Sequence, residues 1–183
     1  GFDFSIDFNK QEQLSYKLIL CEIITNLFIQ KKGGVFVCKF FDIYTLETIK
    51  LLFFLCCFYE EVYINKPLTS RPANSEKYIV CKGFKGIDYY YLDALLLVLQ
   101  YDFIDVFDFD VPQSFISQIK EFNKENTKYQ INTIKYTLNL IESKKNLSLL
   151  NSIIKNQVLK AKEWCKNYEI QINLNSNFVL KYT

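Results

Sequence analysis

The sequence predicts an α/β fold in its first 86 residues and a mainly helical region after them. Two segments with helical periodicity are each followed by a short apolar run typical of a strand, so the order helix, strand, helix, strand is expected. Beyond residue 87 the chain becomes rich in Asn and Lys and keeps helical periodicity. Half of its 183 residues are apolar, which is enough to build the core of one domain.

The first predicted helix spans residues 10–30, and a strand follows it. Lys31-Lys32-Gly33-Gly34 should end the helix, because cations suit its last turn and glycines allow a sharp turn. The continuous apolar run Val35-Phe36-Val37-Cys38 is typical of a parallel strand buried on both faces. The helix is predicted from its stripe of apolar residues: Leu14, Leu18, Cys21, Ile24, Leu27 and Phe28.

The second predicted helix covers residues 45–57, and the strand after it covers 58–64. Two prolines and several hydroxyl and amide side chains predict an ordered but irregular loop over residues 66–75. Residues 77–82 alternate polar with apolar, as in a strand. Because only a loop separates this strand from the one before it, the two should be antiparallel.

The rest of the chain is predicted to be helical, apart from its end. Ile170, Ile172 and Leu174 alternate at the period of a strand, and the Asn-rich stretch after them suggests a turn or a frayed end. The predicted helices cover residues 88–100, 112–122, 128–142 and 147–168.

Composition excludes several classes of function. Without histidine the chain cannot supply a Ser-His-Asp or Cys-His nucleophile or a histidine metal ligand, and its six cysteines form no C-x-x-C pair, so no metal is expected. The cysteines have apolar neighbours, which predicts buried free thiols in a reducing compartment. A net charge of +2 means that any contact with RNA must be local. The longest apolar runs are too short to cross a membrane, so no membrane association is expected.

Lys39 and Glu76 occupy positions where a site is expected. Lys39 lies at the carboxyl end of a buried strand, where ligands bind in open α/β sheets, and Glu76 opens an antiparallel strand. If the two strands are neighbours, the side chains should meet as an ion pair. The alternative is a solvated lysine and an exposed glutamate at unrelated strand ends. Arg71, the only arginine, suggests a planar fork for a phosphate or a carboxylate, and a structural ion pair is the alternative.

Two blocks of sequence carry a recognisable pattern. They are Gly33-Gly34-x-Phe36-Val37-Cys38-Lys39-x-Phe41-Asp42 and Lys66-Pro67-x-Thr69-Ser70-Arg71-Pro72-Ala73-Asn74-Ser75-Glu76-x-Tyr78-x-Val80-Cys81. Both resemble FtsJ-like 2'-O-methyltransferases, and the Ser-Arg-Pro-Ala-Asn-Ser-Glu form of the second block is similar to eukaryotic enzymes that methylate the first transcribed nucleotide of capped mRNA. The resemblance implies a Rossmann-like, S-adenosylmethionine-dependent sheet, with residues 1–86 as the carboxy-terminal half of the catalytic domain and 87–183 as a helical extension.

The resemblance also implies roles for individual residues. The family transfers a methyl group to a ribose 2'-hydroxyl with a Lys-Asp-Lys-Glu tetrad, in which Lys39 matches the second lysine and Glu76 the glutamate. The aspartate, the first lysine and the glycine-rich cofactor loop are expected upstream of residue 1, and the absence of methionine predicts that the natural start lies there too. Asn74 and Ser75 should contact the target ribose and Arg71 a phosphate. For the first two, stabilisation of the loop is the alternative.

The expected partner is therefore the 5' end of capped mRNA, and the expected compartment is the nucleus or the cytoplasm, with the nucleus favoured by the resemblance. Two alternatives stay open: a catalytically inactive RNA-binding relative, and a methyltransferase acting on ribosomal or transfer RNA. Whether Lys39 acts as a base or orients the hydroxyl is also open, because a base must be neutral and a lysine is ordinarily a cation at neutral pH.

Overall fold

The computed structural model describes residues 7–100, 107–142 and 147–176. The predicted order of helix, strand, helix, strand is confirmed for the first part of the chain. The elements are α1 (Gln11–Ile29, after a 3-10 turn at Phe8–Lys10), β1 (Val35–Phe40), α2 (Leu46–Phe58), β2 (Tyr59–Asn65), β3 (Lys77–Phe84), α3 (Tyr89–Leu99), α4 (Gln113–Glu142) and α5 (Leu147–Asn167).

The three described strands form one sheet in the order β1-β3-β2. The strand β3 pairs antiparallel with both neighbours, as predicted for β2 and β3. The prediction that β1 is a parallel strand buried on both faces is wrong for the described residues. Its described partner is antiparallel, and its side chains alternate, with Val35 and Val37 more than half exposed and Cys38 and Phe40 buried. A run of apolar residues therefore marks a strand here without showing that both faces are covered.

The core is formed by α1, α2 and one face of the sheet. The buried side of α1 differs from the predicted stripe, because Leu14, Leu18 and Phe28 are exposed. This helix is apolar on several sides, so periodicity identifies the helix without selecting the face that packs. The core residues of α1, α2 and the sheet include Tyr16, Ile19, Leu20, Ile23, Ile24, Leu27, Ile49, Leu51, Leu52, Leu55, Cys38, Phe40, Ile79 and Cys81.

The carboxy-terminal region contains two further corrections. Residues 113–142 form one helix rather than the two predicted, because the polar segment 123–127 holds no glycine or proline to interrupt it. In this segment Asn123 is buried and its Nδ2 donates to the carbonyl of Ile43 at 2.5 Å. Residues 170–174 do not form the predicted strand. The Asn-rich stretch after them was predicted to be a turn or a frayed end, and Ser176 N donates to Asn173 O in a turn.

Contacts within the chain group residues 1–134 into one compact unit and residues 135–183 into another. The predicted boundary at residue 86 comes from the resemblance to a family, and it stays a prediction. All six cysteines lie in the described part and are free, but only Cys38 and Cys81 are buried, and Cys57 is exposed. In the described ranges no helix has both the length and the apolar character needed to cross a membrane.

Asn123→Ala should destabilise the protein by about 1–3 kcal/mol, because it leaves the buried Ile43 carbonyl without this donor. Asn132→Ala, at an exposed position of the same helix, should change stability by less than about 0.5 kcal/mol. Urea unfolding of both variants measures the difference. Equal stability of the two would show that the buried hydrogen bond does not anchor α4.

Candidate active site at the ends of β1 and β3

The ladder between β1 and β3 brings Lys39 and Glu76 together. In its register Lys39 is opposite Tyr78, and Phe40 is opposite Lys77, so the carboxyl end of β1 lies beside the start of β3. The Nζ atom of Lys39 is 3.5 Å from Oε1 of Glu76. The ion pair predicted from the order and direction of the strands is therefore confirmed. Its catalytic role is a separate question.

The Lys39 ammonium faces solvent on the open side of the sheet. Its side chain is 47% exposed, compared with 20% for Glu76, and its Nζ lies 5.2 Å from the centre of the Phe41 ring. A cation over an aromatic face is attracted by the ring quadrupole. The carboxylate and the ring together hold a long, otherwise mobile side chain beside the strand end while leaving its ammonium accessible to a ligand.

Glu76 is held by three further side chains. The Tyr78 hydroxyl donates to Oε1 at 2.7 Å, while Ser70 Oγ and Asn74 Nδ2 donate to Oε2 at 3.3 and 3.4 Å. The hydrogen bond from Tyr78, followed by the charge of Lys39, lowers the pKa of Glu76 below its ordinary value. Glu76 is therefore a carboxylate at neutral pH, as a partner for a cation requires.

The loop before Glu76 is organised around the ammonium of Lys66. Its Nζ donates to the carbonyl of Asn74 at 2.6 Å and to that of Glu76 at 3.1 Å, and contacts Ser70 Oγ at 3.4 Å. Burial lowers the pKa of Lys66, and the nearby positive charge of Lys77 lowers it further. The predicted irregular loop is thus ordered by one side chain at its centre.

The three residues predicted to contact the substrate differ in their contacts within the protein. Asn74 Oδ1 accepts from Glu76 N at 2.6 Å, and Ser75 Oγ donates to Gln11 Oε1 at 3.0 Å, so both side chains stabilise the loop. Their contact with the target ribose stays a prediction. Arg71 is exposed and forms no ion pair with the described residues. It remains available for a phosphate.

A second ion pair lies directly behind the first. The strand alternation that points Lys39 and Tyr78 to the open face points Lys77 into the core, where its side chain is only 3% exposed. Its Nζ is 3.3 Å from Asp42 Oδ1. Burial lowers the pKa of Lys77, and the charge of Asp42 opposes that shift.

Sequence reasoning missed several residues of this site. Tyr78, Lys66 and Asp42 stand inside the two blocks that resemble the family, but nothing in their spacing showed which of them touches Glu76 or the loop. The position of Lys77 next to Glu76 was a signal, since a charged residue at an inward position of an alternating strand requires a buried partner. The partner itself is visible only in the fold.

A cleft of about 600 Å³ opens between the start of α2 and one side of α4. Besides the Asn123 hydrogen bond, two contacts hold α4 here: Gln130 Nε2 donates to the Asn74 carbonyl at 3.0 Å, and the Tyr44 hydroxyl is 2.7 Å from Thr127 Oγ1. The lining residues carry three lysines and no carboxylate. They are Tyr44, Ile49, Lys120, Asn123, Lys124, Thr127, Lys128, Ile131 and Asn132.

The S-adenosylmethionine site is predicted to lie upstream of residue 1, and none of the described residues tests that prediction. Gly33 and Gly83 adopt positive φ, but they lie at the start of β1 and the end of β3, away from Lys39 and Glu76. There Gly33 N donates to the Phe84 carbonyl, so the glycines close the sheet rather than surround a ligand. The described ranges also contain no cluster of three metal-binding side chains.

Three observations match what the resemblance to FtsJ-like methyltransferases implies. They are the two sequence blocks, the antiparallel strand β3 and the Lys39–Glu76 pair. Residues 1–84 match the family described as FtsJ-like methyltransferase. The matched residues include the three described strands and the Lys39–Glu76 ion pair.

Within this class, the chain is similar to proteins named cap-specific mRNA (nucleoside-2'-O-)-methyltransferase 1. It is 49% identical over 89 residues to the relatives from Mus musculus and Homo sapiens, and 46% identical over 85 residues to the one from Caenorhabditis elegans. These alignments cover 48%, 48% and 46% of the chain and 11%, 11% and 9% of the relatives. The chain thus spans about a tenth of the length of the curated relatives it matches.

The lowered pKa of Glu76 predicts how the stability of the site depends on pH. A carboxyl whose folded pKa is depressed contributes stability above its unfolded pKa, and this contribution is lost as the pH falls through the folded pKa. The stability of wild type relative to Glu76→Gln should therefore be constant near pH 7 and decrease below about pH 4.3, the ordinary pKa of glutamate. Urea unfolding of both proteins at pH values between about 3 and 7 tests this. A difference in the free energy of unfolding that stays constant over this range would contradict the prediction.

Proposed function

We propose that this protein transfers a methyl group to the ribose 2'-hydroxyl of the first transcribed nucleotide of capped mRNA. The observation that carries the proposal is the Lys39–Glu76 ion pair at 3.5 Å, formed by the two residues that match the family's lysine and glutamate. Relatives named as cap-specific mRNA methyltransferases share nearly half of the aligned residues with this segment, which supports the same reaction and substrate.

Lys39 is the group we assign to the 2'-hydroxyl. The hydroxyl is a poor nucleophile, and its oxygen must gain electron density as it attacks a methyl group. An ammonium held beside that oxygen stabilises the developing charge and fixes the direction of attack. The exposed ammonium at the end of β1, restrained by Glu76 and Phe41, is suited to this role.

We infer that Lys39 orients and stabilises the hydroxyl rather than acting as its base. Glu76 is held as a carboxylate by Tyr78 and Ser70, and its Oε1 lies 3.5 Å from Lys39 Nζ, where it fixes the direction of the lysine side chain. The Lys39 side chain is also exposed enough for a substrate hydroxyl to reach it. The hydroxyl proton would then leave to solvent or to a residue other than Lys39.

The methyl donor that we propose is S-adenosylmethionine, which the family resemblance implies and which supplies an electrophilic methyl group. We assign none of the described residues to its binding, in keeping with the position of the glycines at the other end of the sheet. We further propose that the protein acts in the nucleus or the cytoplasm, where its six free cysteines would stay reduced.

Two basic features are proposed to contact the RNA. Arg71 projects from the exposed part of the loop and presents the planar donor fork that suits a phosphate. The cleft along α4 adds Lys120, Lys124 and Lys128, of which Lys124 is already paired with Glu121. RNA lying across Lys39 would extend over one or both of these surfaces.

Lys39→Ala in the full-length protein should lower kcat for methyl transfer to a short capped RNA by about 100-fold or more, because it removes the charge that stabilises the reacting oxygen. Lys82→Ala, an exposed lysine further along β3, is the matched control and should keep the wild-type rate. Transfer of label from S-adenosylmethionine provides the assay.

Undiminished methylation by Lys39→Ala would refute the assignment. An inactive wild type that still binds RNA would support the alternative of a catalytically silent relative. Equal rates on capped and uncapped RNA would favour ribosomal or transfer RNA as the substrate.

Removing the charge at Arg71, or at Lys120 and Lys128 together, should weaken RNA binding and reduce its dependence on salt. Each lost phosphate contact should lower the slope of log affinity against log salt by about 1. Lys31→Ala, at the opposite end of β1 from Lys39, serves as the control and should leave the slope unchanged. Fluorescence anisotropy at several salt concentrations measures it, and unchanged slopes for both variants would exclude these surfaces from the RNA path.

A further inference from the structure

The strongest unassigned feature of the molecule is the buried ammonium of Lys77. A charged side chain that is 3% exposed is costly unless its donors are satisfied. Lys77 Nζ has three partners: Asp42 Oδ1 at 3.3 Å, the Phe41 carbonyl at 3.1 Å and the Ser75 carbonyl at 2.9 Å. All three donors of the ammonium are thus used.

These three partners are placed on both sides of the proposed catalytic pair. Phe41 and Asp42 follow Lys39 by two and three residues along the chain, and Ser75 immediately precedes Glu76. One ammonium therefore joins the segment that leaves β1 to the segment that enters β3. It does so from the buried face of the sheet, opposite the face on which Lys39 and Glu76 meet.

The Asp42 side of this junction is itself anchored to the core. Glu12, on the first turn of α1, is buried, and its Oε1 accepts hydrogen bonds from Tyr44 N, Thr45 N and Thr45 Oγ1, each at 2.9 Å. The backbone just after Asp42 is therefore fixed to α1. Lys77 transmits that position to the start of β3.

We propose that Lys77, paired with Asp42, is a positioning residue for the proposed methyl transfer, setting the separation of Lys39 and Glu76 from behind the sheet. This inference rests on the proposed function. The Lys77 side chain points into the core, away from the open face where a substrate would lie, so it acts through the backbone carbonyls and strand ends that it joins. A displacement of about 1 Å at a reacting group can cost about 100-fold in rate, which is the scale on which such a clamp matters.

A purely structural role predicts a different result from a positioning role. Replacing a buried ion-pair residue with an apolar side chain of similar shape is often neutral or stabilising, so Lys77→Met need not lower the melting temperature. If Lys77 serves only stability, its loss changes stability and leaves turnover unaltered. If it positions the pair, turnover falls while stability and substrate affinity are kept.

The test compares Lys77→Met, Asp42→Asn and Lys77→Arg in the full-length protein, with Lys82→Met as the control on the same strand. Lys77→Met should lower kcat by about 10- to 100-fold, with little change in KM for capped RNA or in Tm. Lys77→Arg, which keeps a cation and several donors, should recover most of the loss. Asp42→Asn keeps an acceptor oxygen but removes the charge. Its kcat provides a second test if Lys77→Met does not fold.

A structural readout separates this inference from the proposed function. In a crystal structure of Lys77→Met or Asp42→Asn, the Lys39 Nζ to Glu76 Oε1 distance should exceed the 3.5 Å seen here by about 1 Å. An unchanged distance, or wild-type kcat in both variants, would overturn the positioning role. If the wild-type protein transfers no methyl group but the distance lengthens, the proposed function fails, whereas the control of the Lys39–Glu76 separation by Lys77 is confirmed.

Discussion

The antiparallel ladder between β1 and β3 is the constraint on which the site depends. Two strands running in opposite directions place the end of one beside the beginning of the other, and the register opposes Lys39 to Tyr78. Lys39 and Glu76, 37 positions apart in the sequence, therefore meet without any long reach by either side chain. A slip of β3 by one residue would turn the buried Lys77 to the open face and Tyr78 towards the core.

The site is built in two charged layers separated by the sheet. On the open face, Lys39 and Glu76 form a partly solvated pair, which Tyr78 reinforces. On the other face, the buried Lys77 pairs with the half-buried Asp42 and also donates to two backbone carbonyls. The outer pair is accessible and suited to chemistry. The inner pair is suited to holding the strand ends in place, because the buried Lys77 charge tolerates little movement away from its partners.

Sequence reasoning succeeded where local pattern and chain direction were sufficient. The alternation of residues 77–82 and the short connection from β2 predicted an antiparallel strand, and from that strand the meeting of Lys39 and Glu76 followed. It failed where packing decides: the buried side of α1, the exposed face of β1, the continuity of α4 and the absence of a strand at residues 170–174. Periodicity shows which residues share a face, but another element must cover that face before it is buried.

The sequence by itself determined the class of fold in the first half of the chain, the family resemblance and the identity of the ion pair, because these depend on residue order, spacing and strand direction. Only the tertiary structure decided that Asn74 and Ser75 stabilise the loop, that Lys66 organises it, and that Lys77 and Asp42 lie behind the pair. These contacts join segments whose distances and orientations are set by the packing of α1 and the sheet. No local pattern of residues carries that information.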